Sequence, residues 1–169
     1  MHKDLENKYY VKWKKFLKDS DNWDINKINQ YQLFKIKEIV NFAYERAPSY
    51  RKLYDKNNIK IADIQDIKDF QKLPFTEKSF FRDDLEGYST KISKKDYITT
   101  GGSTGIPLGM YRDNIAFAKE LASKAHQYAR IGWREGDKQI VFRGLKINSK
   151  DHTEYCSEFN ELRCSSFHL

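Results

Sequence analysis

Apolar side chains recur at helical spacing through the first half of the chain. Tyr9, Trp13 and Phe16 lie three or four positions apart within residues 6 to 19, and a second series of this kind runs from Ile28 to Arg46. Such spacing places the apolar groups on one face of an α-helix. The pattern therefore predicts two amphipathic helices.

Several residues mark where the following helices begin and end. Pro48 ends the second helix, because proline disfavours helical geometry in the residue before it. Ser49 is a candidate cap for a short helix over residues 49–56, and Thr76 is a candidate cap for a helix that Gly87 would end.

The pattern changes after residue 95, where short β-prone runs replace the helical spacing. DYITT and LGMYRD flank a glycine-rich segment, a long helix covers Ile115 to Ile131, and KQIVFRG predicts a buried strand. A weaker strand is indicated around ELRCSSF near residue 165. The expected fold class is α/β, with a mainly helical region over residues 1–90 leading into the start of an α/β domain over residues 91–169.

The amino-acid composition is typical of a chain that folds and has a very polar surface. Of its 169 residues 39% are hydrophobic and 33% charged, the net charge is +7 and the mean hydropathy is −0.83. The lysines are scattered among acids rather than gathered in one block, which favours solvated surface charge over a nucleic-acid-binding patch. Two cysteines without a CxxC spacing and the lack of a long apolar run predict a cytoplasmic protein with no membrane span.

The segment TTGGSTGIP, residues 99–107, is the candidate functional site. Three glycines stand among three hydroxyl residues, and their numbers are Thr100, Gly101, Gly102, Ser103, Thr104 and Gly105. Glycines let backbone N–H groups turn toward an anion, and hydroxyls add hydrogen bonds to phosphate oxygens. A Walker loop is excluded because Ile106 follows the last glycine, and the GxGxxG spacing is also absent. The alternative is an ordinary Gly/Ser turn that joins two strands.

The same segment resembles the phosphate-binding loop of adenylate-forming enzymes, Thr-Ser-Gly-Ser/Thr-Thr-Gly-x-Pro-Lys. Gly101 replaces the usual serine and Leu108 the usual lysine. The phenylacetate-coenzyme A ligase group and the related capsular-polysaccharide-biosynthesis proteins often lack that lysine. Three further stretches are similar to this branch, namely residues 43–59, 66–85 and 132–144.

The resemblance implies an ATP-dependent reaction that activates a small-molecule carboxylate. The carboxylate attacks the α-phosphate of ATP, with Mg²⁺, to give acyl-AMP and pyrophosphate, and a thiol such as coenzyme A is one acceptor of the acyl group. By the same resemblance, Thr100, Ser103 and Thr104 would donate hydroxyls to the β and γ phosphates, and the three glycines would supply backbone contacts.

The resemblance places the family's remaining nucleotide contacts downstream of Leu169. These are its adenine-binding segment, its ribose-binding aspartate and the lysine of its mobile C-terminal domain. We therefore expect an apparently truncated enzyme, the N-terminal part of a ligase that is inactive alone, with catalytic residues that cannot be assigned in this chain. The alternative is a non-catalytic remnant or a module that binds a nucleotide or a partner.

Two other groups of residues are candidates for a site. His152, Cys156, Cys164 and His168 offer four zinc-type ligands within 17 residues, but without a known finger spacing, so no metal site is expected. Tyr9, Tyr10 and Trp13 alternate with lysines and could stack on RNA. Packing of an apolar helix face explains these aromatic residues more simply, so no nucleic-acid partner is expected.

Overall fold

In the computed structural model, the described residues are 7–91, 95–100, 106–144 and 146–168. Helices come first and small sheets follow, which confirms the predicted mixture of α and β structure with a helical N-terminal region. The elements are α1 (Lys8–Ser20), α2 (Ile25–Arg46), α3 (Pro48–Lys56), α4 (Lys78–Asp83), β1 (Lys95–Thr99), β2 (Gly109–Asp113), α5 (Asn114–Ala129), β3 (Gln139–Arg143), β4 (Thr153–Cys156) and β5 (Glu161–Ser165). Short 3₁₀ turns occupy Ile61–Asp63, Ile67–Lys72 and Ser166–His168.

The chain divides into two compact units. The first combines Met1–Asp21 with Asn114–Leu169, and the second is the continuous stretch Asn22–Asp113. The predicted change of character at residue 90 stays a prediction.

The helices α2 and α3 form the framework of the second unit. Asp24 caps α2, its carboxylate accepting the N–H of Lys27 at 2.8 Å. The cap predicted at Ser49 is wrong: the cap position of α3 is Ala47, because Pro48 occupies the first helical turn, where its missing N–H costs nothing. Val40, Tyr54 and Ile64 are almost fully buried and form the centre of this unit's core.

Helix α4 is shorter than predicted and starts differently. Its cap position is Glu77 rather than Thr76, with no side-chain cap hydrogen bond. The helix ends at Asp83 instead of reaching Gly87, because the Asp84 carboxylate accepts the Gly87 N–H at 3.0 Å and the Ser49 hydroxyl. These bonds turn the chain away from the helical path.

In the first unit, α1 packs on α5 through small residues. The Tyr10 side chain is 2% exposed and lies against Ala118, Ala122 and Ala125. The Trp13 indole N–H donates to the Ser123 hydroxyl at 3.0 Å. The aromatic face of α1 is therefore a core surface, which accounts for these residues without RNA stacking.

The same unit contains a three-stranded sheet with the order β3-β5-β4. Strand β5 runs parallel to β3 and antiparallel to β4. The strand predicted around ELRCSSF is confirmed, and it is the middle strand. The predicted burial of β3 is wrong for Ile140 and Phe142, which are 62% and 57% exposed, because both side chains project from one face of the strand and the described residues leave that face uncovered.

Candidate functional site

The glycine-rich segment connects the two strands of an antiparallel hairpin. Strand β1 pairs with β2 from Lys95 opposite Asp113 to Thr99 opposite Gly109. The β-prone runs that the sequence predicts on either side of the segment thus pair with each other. Thr100 and residues 106–108 lie at the tip of this hairpin.

Thr100 and Leu108 extend the pairing by one step. The Thr100 N–H donates to the Leu108 carbonyl at 2.9 Å, and the Leu108 N–H donates to the Thr100 hydroxyl oxygen at 3.0 Å. A hydroxyl has one O–H donor besides its acceptor lone pairs. Thr100 therefore accepts the backbone N–H and retains one O–H donor that no acceptor among the described residues takes up.

Thr100 is the one predicted loop residue within the described ranges. Gly101, Gly102, Ser103, Thr104 and Gly105 lie outside the described residues. The structure thus gives the hairpin and the closure of the loop, and the roles of those five residues stay predictions.

A cation approaches the far end of the loop. Arg82, in α4, donates a guanidinium N–H to the carbonyl oxygen of Ile106. The sequence does not indicate this contact, because 24 positions separate Arg82 from Ile106 and no short pattern links them. Its position follows from the way α4 packs within the second unit.

Three aromatic rings hold α4 in place. Phe81, the residue before Arg82, has its ring centroid 6.4 Å from that of Tyr50 and 5.1 Å from that of Tyr88. Tyr50 and Tyr88 are themselves in edge contact at 5.1 Å. Such ring pairs stabilise by about 0.5 to 1.5 kcal/mol each beyond the area they bury.

Glu86, in the segment that follows α4, binds two residues of the hairpin strands. The Tyr111 hydroxyl donates to the Glu86 carboxylate, and the Lys95 ammonium lies 3.7 Å from its other oxygen. The hydrogen bond to this carboxylate raises the pKa of Tyr111. Lys95 also lies over the Tyr111 ring, 3.3 Å from its centroid.

A tight turn positions Glu86. The Ser49 N–H donates to the Gly87 carbonyl at 3.0 Å, and a Cβ on Gly87 would lie 2.3 Å from the Ser49 hydroxyl oxygen. A side chain at position 87 would therefore displace the Ser49 hydroxyl and the Asp84 carboxylate, which hold the turn. The Ser49 hydroxyl, and then the Gly87 N–H, lower the pKa of the Asp84 carboxyl, so the turn is held by a charged acceptor.

The other candidate residues lie in the first unit. Cys156 pairs with Glu161 and Cys164 with Thr153, at opposite ends of the β4–β5 ladder, and the His168 side chain lies outside the described part. No three His, Cys, Asp or Glu side chains cluster as metal ligands within the described ranges. The His126 ring contacts Asp21 at 3.1 Å, where Arg130 also binds and lowers the pKa of that carboxyl.

Comparison with known proteins identifies a class of enzyme that this chain resembles. No family model matches the chain. It is 24% identical to a phenylacetate-coenzyme A ligase of Pseudomonas putida over 146 residues, which is 83% of this chain and 33% of that enzyme. The corresponding enzyme of Aromatoleum evansii is 36% identical over 85 residues, 48% of this chain and 19% of that enzyme.

A relative with a different name shows the same distant similarity. Protein CapK of Staphylococcus aureus is 24% identical over 151 residues, covering 86% of this chain and 33% of CapK. The chain is therefore distantly similar to phenylacetate-coenzyme A ligases and to CapK over their N-terminal portion. It spans between about a fifth and a third of the length of these relatives. None of the helices among the described residues is long and apolar enough to cross a membrane.

Proposed function

We propose that this chain is the N-terminal part of an ATP-dependent ligase that activates carboxylates as acyl-adenylates, and that residues 100–105 bind the nucleotide's phosphates. The observation that carries the proposal is the hairpin tip. Thr100 and Leu108 close a loop that contains three glycines and three hydroxyl residues, and Thr100 keeps its O–H available. The similarity to phenylacetate-coenzyme A ligases supports it independently.

The donors at the tip fit a polyphosphate. The hydroxyls and backbone N–H groups of this segment would supply hydrogen bonds to anionic oxygens, and no acid lies among residues 99 to 112. Mg²⁺ neutralises part of the phosphate charge when it is bound with ATP.

In the reaction we propose, the carboxylate oxygen bonds to the α-phosphorus and pyrophosphate leaves with its electron pair. The loop would hold the β and γ phosphates, so charge that develops on the leaving group meets donors already in place. A small-molecule carboxylate is the substrate, coenzyme A is one acceptor, and capsular polysaccharide synthesis is one setting. Cytoplasmic location is part of the same proposal.

Binding of inorganic tripolyphosphate and of MgATP to the 169-residue chain, measured by calorimetric titration, tests the phosphate site. We expect Thr100→Val to weaken binding of both ligands about tenfold, because a hydrogen bond to a charged group is worth about 1.5 to 3 kcal/mol. Thr100→Ser keeps the hydroxyl and serves as the matched control. An unmodified chain that binds neither ligand would refute the phosphate site.

The ligase assignment is tested on the native polypeptide. An antibody raised against this segment gives its mass in the source cells, and hydroxylamine trapping measures ATP-dependent carboxylate activation. A product far larger than 20.1 kDa that activates carboxylates supports the ligase. A stable product of about that mass without activity supports instead a remnant or a nucleotide-binding module.

A further inference from the structure

We propose that the outward face of α2 binds the same face of a second copy of this chain, with the two helices antiparallel. The inference is independent of the proposed phosphate site, since it rests on the helix Ile25–Arg46 and not on the hairpin. It assigns a partner to a surface that the ligase proposal does not use.

The outward face of α2 leaves large apolar side chains in solvent. Leu33 and Val40 pack into the core of the second unit, whereas Ile39 and Phe42, on another side of the helix, are 63% and 50% exposed. Exposed apolar groups with polar neighbours are typical of interaction surfaces. A cleft of about 460 Å³ lies along this face, and its lining includes Tyr31, Lys35, Glu38, Ile39 and Phe42.

Four of the lining residues lie along one seam of the helix. Tyr31, Lys35, Glu38 and Phe42 are separated by four, three and four positions. This alternation is the spacing at which the side chains of one helix meet those of a neighbouring helix. Along the seam, an aromatic residue stands at each end, and one basic and one acidic residue lie between them.

The seam is complementary to itself when its direction is reversed. In an antiparallel pair centred on the middle of the seam, Phe42 of one copy lies level with Tyr31 of the other, and Lys35 lies level with Glu38. A twofold axis makes each of these contacts twice, as a symmetric dimer requires. In a parallel pair Lys35 would instead face Lys35 and Glu38 would face Glu38, which repulsion between like charges disfavours. The charge pattern therefore favours a second copy in the antiparallel orientation.

The seam side chains are already ordered within one copy. The Lys35 ammonium donates to the Glu38 carboxylate one turn further along the helix, and the Tyr31 ring is in edge contact with Trp23, at 5.3 Å between centroids. An ammonium has three donors and a carboxylate several lone pairs, so both groups keep capacity for a partner. Little further ordering is needed when two copies meet.

The length of α2 limits the strength of this contact. The antiparallel register overlaps about 20 residues of the two helices, or about 30 Å. A face about 10 Å wide then buries roughly 600 Å² in total, below the roughly 1,200 to 2,000 Å² of stable interfaces. We therefore expect a weak dimer whose population depends on protein concentration.

Sedimentation equilibrium of the 169-residue chain, from about 10 µM to about 1 mM, tests for this dimer. We expect the mass to rise from 20.1 kDa toward twice that value. Phe42→Ser should weaken self-association about tenfold or more, because it removes the ring at each end of the seam. Phe70→Ser is the matched control, since Phe70 is 51% exposed but lies outside α2, and it should leave self-association unchanged. Circular dichroism confirms that each variant keeps its helices.

Charge reversal tests the antiparallel register. Lys35→Glu places acid against acid and Glu38→Lys places base against base, so each single variant should weaken self-association. The double variant, with both substitutions in one chain, restores both charge pairs and should dimerise like the unmodified chain. A chain that stays at 20.1 kDa over the whole range would overturn the inference, as would equal weakening by Phe42→Ser and Phe70→Ser. A double variant that remains as weak as the single ones would also overturn it.

Discussion

At the scale of single residues, Asp69 shows how one carboxylate holds a short turn. One of its oxygens accepts the N–H groups of Gln65 and Asp66 at 2.7 and 2.8 Å, and the Lys72 ammonium lies 2.8 Å from the other. Lys72 first, and the two backbone N–H groups next, lower the pKa of this carboxyl to about 2. The 3₁₀ run Ile67–Lys72 thus depends on a charged residue at its start.

This depressed pKa predicts the acid sensitivity of the second unit. A carboxyl whose pKa is lower in the folded state stabilises it fully above the unfolded pKa, near 4, and loses that contribution as pH falls toward 2. We expect Asp69→Asn to be less stable than the unmodified chain at pH 6, with a difference that shrinks steadily as pH falls below 4 and is mostly lost at pH 2. Denaturant unfolding across this range measures it.

Asp63→Asn is the control for the acid prediction, since the Asp63 carboxylate makes no hydrogen bond within the described part of the chain. Its stability should follow that of the unmodified chain at every pH. A difference between Asp69→Asn and the unmodified chain that stays constant from pH 6 to pH 2 would contradict the assigned cause.

At the scale of elements, the sequence predicts the helices, because their apolar spacing is set by residues that are close together in the chain. The spacing within α1 and α2 predicts both helices, and the structure has them at Lys8–Ser20 and Ile25–Arg46. The position of β3 at an edge depends instead on its pairing with β5, about 20 residues away. The Arg82 contact with Ile106 has the same non-local origin, so no pattern in the sequence indicates it.

The α1–α5 contact gives a prediction about packing. Ala122 is fully buried against the α1 face that contains Tyr10. Ala122→Leu adds three carbon atoms to a filled space, and we expect it to lower the free energy of unfolding by about 1 to 3 kcal/mol. Ala129→Leu, at an exposed position near the end of the same helix, should change it by less than about 0.5 kcal/mol. Equal losses in the two variants would contradict the prediction, because the burial of Ala122 would then not explain the cost.

At the scale of the whole molecule, the two compact units differ in how the chain builds them. The first unit joins α1 to a segment that begins about a hundred residues later, whereas the second is continuous. Each has its own buried cluster, one around Tyr10 and one around Val40. Separate cores favour separate unfolding.

Hydrogen exchange can detect this separation. Tyr10→Ala removes the central side chain of the first cluster, and loss of a buried aromatic side chain costs about 3 to 5 kcal/mol. Amides of α5 should exchange faster in this variant, while those of α2 and α3 keep their rates. Phe75→Ala, at a side chain that is 95% exposed, is the control and should change neither region. Faster exchange throughout both units would mean that they unfold together.

The two hydrogen bonds between Thr100 and Leu108 also separate the strands of the hairpin from the segment that joins them. The β1–β2 ladder and this closing pair hold the register of the two strands on both sides of the intervening segment. Closing a longer loop costs only slowly more, about 0.6 kcal/mol for each doubling of its length. Segments of other lengths and donor sets can therefore be exchanged between Thr100 and Leu108, which makes this tip a practical scaffold for engineered anion recognition.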